Sequence, residues 1–114
     1  MIKLFRAWDG ESYWYADKDL VFINGPKYYN LKDAPFDIEA LEQFIGKVAY
    51  NKVQIFENDI IVNNFQDPNK LYRVIWSIND CGFRKVLLGQ ETPITQIDEA
   101  FMEVVGTIYS IGDK

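Results

Sequence analysis

The sequence predicts a mainly β protein, a β-rich α+β fold with at most one short helix, on three observations. Apolar residues come in short runs of β-branched and aromatic side chains, turn residues separate the runs at about every eight to twelve positions, and no long segment repeats apolar residues at helical spacing. At 114 residues the chain fits one compact unit, divided into an N-terminal β-hairpin segment over 1–45 and a second part over 46–114.

Leu4-Phe5-Arg6-Ala7-Trp8 reads as the first strand, Asp9-Gly10-Glu11-Ser12 as a hairpin turn and Tyr13 to Ala16 as its return. Leu20 to Ile23 is the next strand, ended by Asn24-Gly25-Pro26. For residues 37–45 two readings stay open. As a helix after Pro35, Asp37 caps a turn with Ile38, Leu41, Phe44 and Ile45 on one side, ended by Gly46; as a strand, Leu41, Gln43 and Ile45 share one face.

Beyond Ile55 the β pattern is plainer. Ile60-Ile61-Val62, then Leu71 to Ile78, a turn at Asn79-Asp80-Cys81-Gly82 and Phe83 to Leu88 give a strand followed by a hairpin. Glu91 to Ala100, which contains Pro93, reads as a loop with a turn of helix, and Met102 to Ile108 closes the sheet with a bulge or bend at Gly106. Tyr72, Val74 and Trp76 share a strand face, so Trp76 is expected in the core and its truncation to Ala is expected to cost about 3–5 kcal/mol.

Seventeen acidic residues against twelve basic give a formal charge of −5, which disfavours nucleic acid, because affinity for phosphates needs clustered cations. Cys81 is the only cysteine, which excludes an internal disulfide and points to a reducing compartment. Met1 to Arg6 lacks the apolar core of a signal peptide and no stretch has the roughly 18 apolar residues of a membrane span. The expectation is a soluble cytoplasmic protein.

Histidine is absent, which removes the commonest general base, the commonest neutral metal ligand and the Ser-His and Cys-His nucleophile systems. The glycines occur singly, so neither a P-loop nor a dinucleotide fingerprint exists. Cys81 stands beside Asp80, whose charge disfavours a thiolate. The chain is therefore read as non-enzymatic, with no catalytic residues, cofactor or metal.

The segment Ile55-Phe56-Glu57-Asn58-Asp59-Ile60-Ile61-Val62 sets two carboxylates in a polar turn between apolar runs. A two-metal site needs at least three or four convergent acids, so Glu57, Asn58 and Asp59 read as a structural turn, with Asp59 accepting backbone amides before Ile60 and Val62 enter the core. Eight aromatic residues within the first 29 exceed what a small domain encloses easily. Tyr13, Tyr15, Tyr28 and Tyr29 are accordingly the candidate partner surface, because Tyr is common among interface anchors.

Phe5-Arg6-Ala7-Trp8-Asp9, Gln43-Phe44-Ile45-Gly46, Ile55 to Ile61 and Glu103-Val104-Val105-Gly106-Thr107-Ile108-Tyr109 together resemble, in order and spacing, the YopX-like proteins of phages and prophages. Departures from that pattern are Lys47 for the frequent Leu, Lys52 and Asn58 for turn glycines, and Thr107 for Asn. The resemblance implies a small β-rich protein with a barrel-like C-terminal part over 46–114, and brings no activity or catalytic residues. The functional expectation is a phage or prophage accessory protein working through protein contacts, with self-association allowed. The alternative is a small-barrel module that binds nucleic acid in phage replication or transcription.

Overall fold

A computed structural model describes residues 4–17, 20–23, 27–30 and 38–112, with side chains over 4–16 and 38–110. The chain divides into two compact units, Met1–Phe44 and Ile45–Lys114. Both are built from antiparallel strands.

In the first unit β1 (Phe5–Trp8), β2 (Tyr13–Asp17), β3 (Leu20–Ile23) and β4 (Lys27–Asn30) form a meander in the order β4-β3-β2-β1, and β1 also pairs with the start of β5 (Ala40–Val48). The expected hairpin at Asp9 to Ser12 is present, with Trp8 opposite Tyr13 and Arg6 opposite Tyr15. From Ala40 the segment takes the extended alternative, while Pro35, Asp37 and the Asn24-Gly25-Pro26 turn lie outside the described residues. Helix-favouring Glu39, Ala40 and Glu42 yield here to pairing, because the register sets Glu42 opposite Arg6 and buries both. Gly46 does not end the element: its φ of +85° lies within β5, a conformation open to glycine at little cost.

The second unit holds the end of β5 beside β6 (Gln54–Phe56), and a five-stranded sheet in the order β10-β9-β8-β7-β11. Its strands are β7 (Asp59–Asn63), β8 (Asp67–Ser77), β9 (Gly82–Leu87), β10 (Ile94–Thr95) and β11 (Met102–Thr107). A 3₁₀ turn at Glu99–Phe101 precedes β11, and a single π-type turn at Ile108–Gly112 follows it. The barrel-like expectation is corrected: β10 and β11 are the two edges of an open sheet. A two-residue β10 after Pro93 is too short to carry the ladder that closure demands.

Ala49, Ile55, Ile61, Val74, Ile97 and Met102 form the core of this unit, with Ile45, Tyr72, Phe83 and Val104 packed around them. β7 is buried at all five positions, which explains why Ile60-Ile61-Val62 reads as a continuous apolar run. The expected irregularity near Gly106 is a bulge against β7, with the register shifting between Val104 and Gly106. Among the described residues no helix is long and apolar enough to cross a membrane.

Trp76 corrects the sequence reading. It lies opposite Phe83, with the rings edge-on at 5.0 Å, but is 49% exposed. Side-chain parity places it with buried Val74, yet the strand ends one residue later, where the cover has run out. Trp76→Ala is now expected to lower stability by about 1–2 kcal/mol, for a partly buried ring and one aromatic pair. A urea titration of the two proteins checks this, and a loss of the full-core size would restore the first expectation.

Candidate functional site

The Phe5 to Asp9 segment is a structural unit in which nearly every residue has a visible role. Ala7 is buried, and Arg6 gives its Nε to Glu42 Oε1 at 2.7 Å with both side chains almost wholly enclosed. The Arg6 guanidinium also stands 4.2 Å over the Tyr13 ring, which packs against Trp8 at 4.9 Å. A buried charge needs both a counter-ion and hydrogen bonds, so the pair restricts β1 and β5 to one register.

Asp9 fastens the hairpin turn. Its Oδ1 accepts the amides of Glu11 and Ser12 at 2.8 Å each, while its Oδ2 accepts the Trp14 indole N–H at 2.8 Å. These donors, the indole foremost, hold its carboxyl down at about 2. A depressed acid contributes its stability above its ordinary value, so the turn keeps this contribution at neutral pH and loses it as pH falls through about 2.

The candidate partner tyrosines separate into two cases. Tyr13 and Tyr15 are half-buried with ring centroids 6.2 Å apart, and lie on the strand face that carries Arg6 and Trp8. Tyr28 and Tyr29 are in β4, opposite Phe22 and Val21 in the backbone register, and their side chains lie outside the described residues.

The Glu57-Asn58-Asp59 turn has the geometry of a structural element. Asp59 is 1% exposed and its Oδ2 accepts the Phe56 amide at 2.8 Å, closing the turn from β6 to β7. Asn58 takes a left-handed φ of 64°, its amide bonds Val74 O and its carbonyl accepts the Ile108 amide. Its Oδ1 accepts Arg73 Nε and Nη2 at 3.2 and 3.0 Å. Glu57 is half-buried in the same turn. Lys52 also stands at positive φ, 72°, so the Asn51-Lys52 turn keeps a left-handed backbone without glycine.

A different surface is the most exposed aromatic feature in the second unit. Tyr50, Phe65 and Phe101 are 44%, 67% and 43% exposed and meet edge to face, Phe65 lying 5.9 Å from Tyr50 and 5.7 Å from Phe101. Each is held by the backbone beneath it. Asn63 Oδ1 accepts the amides of Phe65 and Gln66, the Tyr50 amide bonds Met102 O, and the 3₁₀ turn places Phe101 beside them.

Polar pairs lie close to these rings in the chain: Asn64, next to Phe65, bonds Glu103, and Glu99, two residues before Phe101, pairs with Lys47 at 3.2 Å. The Glu99 carboxyl is lowered first by its own backbone amide and then by Lys47. Sequence reasoning missed this surface because its members come from three distant turns. The one local signal was Phe65, a large apolar residue inside the polar turn Asn63-Asn64-Phe65-Gln66.

Among the described residues no group of three or more Asp, Glu or Cys side chains is placed to hold a metal ion. In comparison with known proteins, the family model described as YopX protein matches residues 4–111. No curated protein matches the chain.

Proposed function

The chain belongs to the YopX family, and from that premise we propose that it is a non-enzymatic accessory protein of phage or prophage type that works in the bacterial cytoplasm by binding another protein. The observation that carries this reading is the exposed Tyr50–Phe65–Phe101 surface. Solvent-facing aromatic residues grouped in this way have the composition of an interface centre. Stacking on single-stranded nucleic acid would need flanking cations, and the charged residues next to Phe101 in the chain are Glu99 and Glu103, with Lys47 already paired to Glu99.

The test compares the wild type with Phe65→Ser. At 67% exposure the substitution should change stability by about 1 kcal/mol or less, checked by a thermal melt. Capture from host lysate should recover one protein in near-equal amount with the wild type, and at least about tenfold less with the variant. Recovery of the bait alone, or equal recovery by both, overturns the reading. A gel shift that weakens with salt would replace it with the nucleic-acid alternative.

A further inference from the structure

An edge strand turns the N–H and C=O of every second residue away from its sheet, and groups left unpaired there are a template for another strand. β11 is such an edge, with β7 on one side. Met102 faces away from β7, because its carbonyl accepts the Tyr50 amide at 3.2 Å, and its own amide bonds Glu99 O. By alternation Val104 faces outward as well. The bulge between Val104 and Gly106 inserts an extra residue, so the next outward position is Thr107, before the Ile108 amide returns to Asn58 O.

A single side chain closes Thr107. Ser110 Oγ accepts the Thr107 amide at 2.8 Å and donates to the Thr107 carbonyl at 3.2 Å. In return Thr107 Oγ1 accepts the amides of Tyr109 and Ser110 at 3.2 and 3.3 Å. Reciprocal bonds of this kind form a helix capping box, and here they begin the π-type turn. Met102 and Thr107 thus have both outward backbone groups engaged within the chain, and of the outward positions among the described residues Val104 alone offers its pair to an incoming strand.

We propose that Ser110 is a latch on an interface between copies of this chain: it keeps the β11 edge shut, and its release lets β11 pair antiparallel with β11 of a second copy. The edge is complementary to itself. Val104 of one copy meets Thr107 of the second, and Thr107 meets Val104, so both strands bring the same spacing and their bulges match. Glu103, the one charge in β11, then stands opposite Ile108 of the second copy and meets no like charge. While Ser110 holds Thr107, each Val104 lacks its counterpart and no pair of hydrogen bonds forms across the edge. This interface does not depend on the protein-contact reading.

Analytical ultracentrifugation up to about 0.5 mM protein, joined to amide hydrogen exchange read residue by residue, compares the wild type with Ser110→Ala and Ser110→Thr. Ser110 is exposed, so neither substitution should shift the melting temperature by more than a few degrees. In the wild type the latched Thr107 amide should exchange about tenfold or more slowly than the open Val104 amide, a measurement that needs no variant. Ser110→Ala should form a dimer with a Kd at or below about 100 μM, at least about tenfold tighter than any wild-type dimer. Its Val104 and Thr107 amides should then slow as concentration rises. Ser110→Thr keeps the hydroxyl and should behave as the wild type. The proposal is overturned if wild-type Thr107 exchanges as fast as Val104, if Ser110→Ala associates no more than the wild type, if it associates without slowing these two amides, or if Ser110→Thr associates like Ser110→Ala.

Discussion

Replacing Glu42 by Ala should lower the stability of the first unit by about 3–5 kcal/mol, because it leaves the Arg6 guanidinium enclosed without its carboxylate. Trp8 and Trp14 lie in the same unit, so urea unfolding followed by tryptophan fluorescence reports the loss. Arg6→Leu combined with Glu42→Leu should recover much of it, since an apolar pair of suitable volume often replaces a buried ion pair at little cost. Such a recovery would identify the pair as a device for strand register more than a source of net stability. A loss below about 1 kcal/mol for Glu42→Ala would mean that water reaches the site and the charges are not truly enclosed.

The second large effect is expected at Asp59. Its carboxylate is enclosed next to Ile60 and accepts the Phe56 amide, so Asp59→Ala strands a buried donor and should cost about 1–3 kcal/mol. Asp59→Asn keeps an acceptor of the same shape and should lose less. Melts of all three proteins with and without magnesium or manganese should show no ion-dependent difference. An Ala variant that melts like the wild type would remove the structural reading of the turn, and a stabilising ion effect that vanishes in the Asn variant would reinstate a metal site.

What was legible in the sequence is what period and turn chemistry encode. The hairpins at Asp9 to Ser12 and at Asn79 to Gly82 are present, as are the buried run of β7 and the bulge near Gly106, since each depends on residues close in the chain. What was not legible depends on distance. Glu42 reads as a helix former until its partner 36 residues earlier fixes it in a strand. Trp76 has the right parity for the core, but parity does not say where the covering elements stop. The barrel expectation failed on the length of β10, and the aromatic surface escaped notice because Tyr50, Phe65 and Phe101 converge only after three turns have formed.

The order of the five-stranded sheet has a consequence for synthesis on the ribosome. β7, β8, β9 and β10 pair with their neighbours in sequence, while the other side of β7 is completed by β11, from Met102–Thr107. Until that last strand has left the exit tunnel, the nascent chain presents Ile60-Ile61-Val62 along an unpaired edge. Short β-prone apolar segments on open edges recruit strands from other chains, so the interval between translation of β7 and of β11 is when this protein is most exposed to misassembly and to capture by a chaperone.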